Sequence, residues 1–399
     1  MLKRITADQV LLGMYIESLE GSWLQHPFWK TRFLLREADD VAALRRGGAA
    51  GVWIDTSKGR DLPAVDAPAA ARAPEAALPP TPAPATKQVD AADEMQRAAQ
   101  VLERSKQAVV GLFNDARMGK ALEVEHCLEV VEDVSASVLR NASALISLAR
   151  LKTKDEYTYL HSVSVCALMV SLAQGLKLDE AQTREAGVAG LLHDVGKMLV
   201  PEQVLNKPGR LSDDEFTVMK LHPTRGHELL LRSGAISAGA LDVCLHHHEK
   251  MDGSGYPHRL QGEQISQLAR MGAVCDVYDA ITSERPYKQA WRAADSLSRM
   301  AQWAGHFDQA IFHAFVRAVG IYPLGTLVRL ESQRLAVVID QRPAQLTRPL
   351  LRVFFSAKSK ERITPLVLDL SDEPQTDRIL GREDPTPWGF GNLDSLWRQ

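Results

Sequence analysis

The residues best suited to chemistry lie in Leu191–Lys197, where an apolar run delivers an adjacent His193-Asp194 pair and Lys197 follows closely. An imidazole beside a carboxylate, with a cation nearby, is the inventory of a metal site that handles phosphate. Taken alone, such a pair is more often a buried hydrogen bond than a metal site. The flanking sequence shifts that balance. His161 sits in a helical pattern upstream, and His222, the run His246-His247-His248-Glu249 and Asp276 follow downstream. Six of the 12 histidines therefore fall on helix-like segments within one span, which a helical bundle can converge on one point. Nitrogen and oxygen donors without a thiolate suit an ion of roughly octahedral preference, with iron or manganese first and other divalent ions open. A carboxylate between two such ions holds them about 3.5 to 4 Å apart, so that a shared hydroxide forms near neutral pH. That chemistry suits phosphodiester hydrolysis.

Helices must position these groups. Ala91–Arg117 and Ala121–Leu151 read as two long amphipathic helices broken around Gly119, built to pack the bundle or to pair with another subunit as a homodimer. Helical patterns continue to about Val319, interrupted by loop signals at Asn206–Gly209 and Asp252–Pro257. Ser212 and Glu215 form a capping box that opens a helix and places His222 about two turns inside it. After Gly325 the apolar period becomes two, and Thr326–Leu330, Leu335–Ile339, Leu351–Phe355 and Pro365–Leu370 read as short antiparallel strands covering the bundle.

At the other end, residues 1–60 read as a small α+β module, with strands over Val10–Ile16, Phe33–Leu35 and Val52–Asp55 and a helix near Glu37–Arg46. Trp23, His26, Phe28 and Trp29 read as its core, with a recognition surface as the alternative. Residues 61–90 are a Pro/Ala-rich linker. The expected organisation is mainly α: an N-terminal module over 1–60, the linker, a helical domain over 91–325 and a β-rich subdomain and tail over 326–399.

Composition narrows the partners. The chain has 399 residues, 45% of them hydrophobic, and a formal net charge of -3. A chain without a basic excess lacks the general attraction that nucleic-acid polymers or acidic membranes exert, so an anionic ligand must be small and held by a local cluster of positive charge. Cys127, Cys166, Cys244 and Cys275 show no paired spacing and imply a reducing compartment. No stretch is apolar and long enough to span a bilayer, and a cytoplasmic location is the expectation.

His161, His193-Asp194 with Gly196-Lys197, His222-Pro223, His247-His248-Glu249 running into Gly253-Ser254-Gly255-Tyr256-Pro257, and Asp276 before Tyr278-Asp279-Ala280 together resemble the HD-GYP domain. The resemblance covers roughly residues 125 to 325, in order, and its longest motif is far more specific than a His-Asp pair. Lys3-Arg4-Ile5-Thr6 and Gly21–Trp29 resemble the domain of unknown function that often precedes HD-GYP in bacterial proteins. The family implies an HD-type helical bundle and hydrolysis of cyclic di-GMP to pGpG through a dinuclear centre and bridging hydroxide, with continuation to GMP left open.

Carried over by position, the resemblance implies metal ligation by His161, His193, Asp194, His222, His247, His248 and Asp276, with Asp194 as the bridge. It further implies that Lys197 points at the reacting phosphate, that Arg285 and Lys288 contact the substrate's phosphates, and that Tyr256 approaches the ligand. Members with a third metal carry a Glu one turn before the first histidine. Tyr157 stands there, and Glu156 is one residue out of phase, so two ions are expected. His227, His246 and His258 have no assigned role. Two alternatives stay open: a phosphodiesterase for another cyclic or linear dinucleotide, and a scaffold that binds the messenger or a diguanylate cyclase without turnover. Retention of every ligand weighs against the scaffold.

Overall fold

The computed structural model describes residues 2–6, 9–20, 33–35, 41, 51–60, 91–120, 124–151, 157–234, 236–283, 290–342, 345–372, 377–391 and 393–397. The chain divides into two compact units, Met1–Asp90 and Ala91–Gln399. In the first, β1 (Leu2–Ile5), β2 (Tyr15–Glu20), β3 (Phe33–Leu34) and β4 (Gly51–Asp55) form an antiparallel sheet of order β1-β4-β2-β3. Its core is Ile5, Val10, Met14, Ile16, Leu35, Val52 and Ile54. The strand expected from Val10 starts only at Tyr15. Gly13, at φ +87, lets the preceding residues turn while Val10 and Met14 remain fully buried. The helix expected near Glu37–Arg46 lies, apart from Val41, outside the described residues, as do Trp23, His26, Phe28, Trp29 and the linker.

The second unit is a helical bundle with a sheet. Helices α1 (Ala91–Arg117) and α2 (Val124–Ala149) pack on each other and on α3 (Tyr157–Gly175). Asn141 interrupts α2 with non-helical angles (φ -159, ψ 96), and its side chain accepts a 3.1 Å hydrogen bond from the Ala144 amide. Such Asn geometry competes with the helix ladder, a break that hydrophobic periodicity does not register. From Leu160 to Ala173 every residue of α3 is buried, which makes it the central helix, packed by α2, by α4 (Glu180–Leu192) and by later helices. A capping box between Asp179 and Gln182 starts α4, and a short 3-10 turn (Val195–Leu199) follows it.

After α5 (Glu202–Leu205), the box between Ser212 and Glu215 starts α6 (Asp213–Met219) where expected. The expectation for His222 is corrected here: α6 ends at Met219, and His222 begins a separate helix, α7 (His222–Ser233). Pro223 explains the break. Its ring lacks an N–H and clashes with the carbonyl four residues earlier, so it is tolerated in a helix's first turn but not two turns inside one. Then come α8 (Ala238–His246), α9 (Gln267–Thr282), α10 (Ala293–Met300) and α11 (Gln309–Val319), with Ser237, Ser266 and Asp308 as side-chain N-caps of α8, α9 and α11.

Beyond Gly325 lie β5 (Leu327–Leu330), β6 (Arg334–Asp340), β7 (Leu350–Ser356), β8 (Glu361–Asp369) and β9 (Ile379–Arg382), an antiparallel sheet of order β8-β7-β6-β5-β9. Four of these match the expected strands. The fifth, β9, is a four-residue edge strand containing Gly381, too short for a period-two signal. Arg150 at the end of α2 donates to the Leu324 carbonyl at 3.1 Å, and Arg382 of β9 to the Ala294 carbonyl of α10, which ties the sheet to the bundle. All four cysteines are free and buried, and burial pushes the Cys127 thiol up to about 12. Among the described residues no helix is long and apolar enough to cross a membrane.

Candidate metal centre

Chain turns do much of the positioning. His161 sits on α3 and Asp276 on α9, whereas His193 and Asp194 leave the end of α4, His222 opens α7, and His247 and His248 follow the end of α8. Two glycines let these ends meet. A Cβ on Gly196 would lie 2.0 Å from the His222 carbonyl oxygen and 2.5 Å from the Gly226 nitrogen, so the turn after Asp194 can touch the start of α7 only as glycine. A Cβ on Gly255 would lie 2.5 Å from the Glu249 Cα and 2.7 Å from the His248 carbonyl oxygen. The loop after His248 folds back on it at that point, and the Tyr256 amide donates to the His248 carbonyl at 3.3 Å.

The structure brings all seven expected residues together, in two groups that share Asp194. On one side, Asp194 Oδ2 lies 3.2 Å from His161 Nε2 and 3.3 Å from His193 Nε2, and Asp276 Oδ1 lies 3.0 Å from His161 Nε2. On the other, Asp194 Oδ1 lies 3.2 Å from His222 Nε2 and 3.7 Å from His247 Nε2, with His248 completing the group. Within each group one candidate donor atom per residue lies within 4.8 Å of every other. Six of the seven are buried, and His248, with 22% of its side chain exposed, marks the opening.

The outward-facing ring nitrogens fix how the imidazoles present themselves. His193 Nδ1 lies 2.8 Å from the Gly190 carbonyl, His222 Nδ1 2.8 Å from that of Met219, and His247 Nδ1 3.0 Å from that of Val243. A carbonyl only accepts, so these Nδ1 atoms donate, and in the neutral ring each Nε2 carries a lone pair aimed inward. Asp194 Oδ1 is buried and without a hydrogen-bond partner, facing two such nitrogens. Lone pairs against an unpartnered carboxylate oxygen are costly unless a cation lies between them, so the donor set fits divalent metal.

The electrostatics agree. Burial pulls His193 down, but Asp194 and Asp276 outweigh it and hold the imidazole up to about 10. His161 is raised likewise, burial being overcome by Asp194, Asp276 and Asp279. Burial works against ionised Asp194, yet the Lys197 ammonium and His193 keep it well below the usual carboxylate range. Burial and His193 take His247 down to about 3, and burial with His247 depresses His248. One half of the cluster therefore attracts positive charge while the other offers the neutral imidazoles of His247 and His248, both of which a cation satisfies.

Around this centre, Lys197 pairs with Asp194 Oδ2 rather than standing apart from it, its side chain 19% exposed. The Tyr256 ring lies 4.7 Å from that of His248. Arg285, Lys288 and Glu156 lie outside the described residues, and of Tyr157 only the backbone is described, at the start of α3. His246 pairs with Asp242 at 2.7 Å and with His258 at 3.0 Å, away from the two groups. Sequence reasoning missed two buried carboxylates. Glu249 accepts from the His258 and Leu260 amides at 2.7 and 3.1 Å and so clamps the loop, and Asp279 holds His161 at 2.6 Å. Their signal was adjacency: Glu249 follows His248 directly, and Asp279 lies one helical turn from Asp276.

A helical bundle that gathers histidines and aspartates from successive helices around an adjacent His-Asp pair defines an HD-type protein. The HD domain family matches residues 137–311, and a domain of unknown function, DUF3391, matches residues 2–127. The chain is 55% identical over 398 residues to cyclic di-GMP phosphodiesterase PA4108 of Pseudomonas aeruginosa, covering 100% of this chain and 96% of that protein. It is 44% identical over 180 residues to the cyclic di-GMP phosphodiesterase response regulator RpfG of Xanthomonas campestris, covering 43% of this chain and 47% of that one. It is also 33% identical over 179 residues to 3'3'-cGAMP-specific phosphodiesterase 1 of Vibrio cholerae, covering 44% and 41%. The chain belongs to the HD-GYP family of cyclic di-GMP phosphodiesterases, with the DUF3391 domain at its N-terminus.

Proposed function

We propose that this protein hydrolyses cyclic di-GMP, opening the ring to linear pGpG, with two divalent ions held by seven side chains. The observation that carries the reading is Asp194, buried, with each carboxylate oxygen turned toward a separate group of donors. His161, His193 and Asp276 hold one ion and His222, His247 and His248 the other, with Asp194 shared. Iron and manganese suit this donor set. Two such ions supply a hydroxide nucleophile near neutral pH and stabilise charge on phosphate oxygens.

The chain's own residues do the rest. The backbone carbonyls behind His193, His222 and His247 hold the imidazoles in register, and burial excludes water from all but the His248 side. Lys197, beside Asp194 and partly exposed, offers a fixed cation where charge develops on the reacting phosphate. Tyr256 lines the approach next to His248, and Arg285 and Lys288 hold the phosphates in the ground state. The helical domain over 91–325 carries this chemistry, in the cytoplasm, where a diguanylate cyclase is a suitable protein partner. The relative specific for 3'3'-cGAMP supports a second reading, a cyclic dinucleotide of mixed bases. Incubating the full chain, loaded with iron or manganese, with each dinucleotide and separating products over time decides between them. Faster loss of cyclic di-GMP with accumulation of pGpG is expected. Turnover of neither dinucleotide under either metal would overturn the proposal.

A further inference from the structure

His161 differs from the other buried imidazoles of the centre. His193, His222 and His247 each anchor Nδ1 on a neutral backbone carbonyl, whereas His161 Nδ1 lies 2.6 Å from the carboxylate oxygen Oδ2 of Asp279. Asp279 is fully buried on α9, one turn beyond Asp276, so both carboxylates face α3. The His161 ring is clamped between them, with Nε2 3.0 Å from Asp276 Oδ1 and Nδ1 on Asp279. Asp279 is itself fixed. Its Oδ1 accepts from Ser164 Oγ at 2.5 Å and from Ser283 Oγ at 3.4 Å, and Ser164 lies one turn from His161 on α3.

This arrangement makes the two halves of the centre unequal. The group of His161, His193, Asp194 and Asp276 contains two carboxylates, with a third bonded directly behind His161. The group of Asp194, His222, His247 and His248 has the shared carboxylate as its one acidic member, with Asp276 Oδ2 farther off, 3.7 Å from His248 Nδ1. A carboxylate behind an imidazole fixes its tautomer, holds the ring's direction and raises the basicity of the ligating nitrogen, and losing such a partner typically costs about 10- to 100-fold in metal affinity. Even with the Lys197 ammonium on Asp194 Oδ2, the His161 half holds more carboxylates than the other, and a divalent cation gains more from the half with more negative charge.

We propose that Asp279 is a positioning residue that makes the His161 half of the centre the tighter and first-filled of its two metal positions. This rests on the reading of the cluster as a dinuclear metal centre, and the test separates the two. The full chain, stripped of metal, is titrated with Mn2+ by calorimetry at fixed pH, with thermal melting in parallel. Wild type should take up two equivalents in two resolved steps. Asp279→Asn keeps the size and an accepting oxygen but removes the charge, and should weaken the first step about 10- to 100-fold while leaving the second in place. Ser164→Ala, a milder change, should weaken the same step by a smaller factor and serves if Asp279→Asn does not fold. Selective loss of one step is a result that mere destabilisation of the bundle does not produce. Two equal steps in wild type, equal weakening of both in the variants, or no change in either would overturn the inference. No Mn2+ uptake by wild type would instead remove the metal-centre reading beneath it.

Discussion

Substituting Gly196 by alanine tests whether the turn after Asp194 has to touch the start of α7. The added Cβ would sit 2.0 Å from the His222 carbonyl oxygen, 2.5 Å from the Gly226 nitrogen and 2.8 Å from the Gly226 Cα, where ordinary contact begins near 3.4 Å. All three atoms are backbone, so no side-chain rotation relieves the overlap, and restoring ordinary contact at the His222 carbonyl needs a separation of about 1.4 Å (3.4 less 2.0). Overpacking of this kind costs about 1 to 3 kcal/mol, occasionally more, and the absence of a flexible neighbour places Gly196→Ala near about 3 kcal/mol. The displacement also draws His222 away from Asp194, 3.2 Å from it now, and a misplacement on the order of 1 Å costs about 10²-fold in rate. Gly111→Ala is the matched control: nothing lies within 4 Å of its added Cβ, and alanine in mid-helix gains up to about 1 kcal/mol. Urea unfolding, metal content and turnover should separate the two variants. Wild-type stability and metal content in Gly196→Ala would refute the steric argument.

Asp194→Ala should lose both bound ions and all turnover, since both groups share that carboxylate; elemental analysis and product assay check it, and retained activity would contradict it. Metal-free protein should release protons on metal uptake and bind more tightly as pH rises, because His193, held up to about 10 by Asp194 and Asp276 against burial, must first lose its proton. The sign for stability is opposite: a raised folded value stabilises fully below 6.5 and is lost as pH rises through about 10, so denaturation midpoints of metal-free protein should fall over that range. Lys197→Ala should lower kcat on the order of 10²-fold with substrate affinity nearly intact, while Arg285→Ala or Lys288→Ala should chiefly weaken binding, by roughly 1.5 to 3 kcal/mol. Single-turnover kinetics beside calorimetric binding tells them apart, and the reverse pattern would sink the assigned roles.

Much of this was legible in the chain. Histidines and aspartates spaced along helix-like segments marked the candidates, and the resemblance to the HD-GYP domain narrowed them to the seven that converge, leaving out His246. The helix start at Ser212 follows from local capping, which needs no tertiary information. What escaped depends on the third dimension or on single residues. The boundary between α6 and α7 is written in Pro223 rather than in periodicity, and the break at Asn141 in one side chain's bond to the backbone. Asp279 and Glu249 resemble any acidic residue until the fold shows one behind His161 and the other under a loop.

The most direct measurement is anomalous scattering from crystals of the full chain grown with manganese or iron. Two peaks flanking the Asp194 carboxylate about 3.5 to 4 Å apart are expected, one among His161, His193 and Asp276 and the other among His222, His247 and His248. A single peak, no peak between these side chains, or a third ion beside Tyr157 would contradict the dinuclear centre.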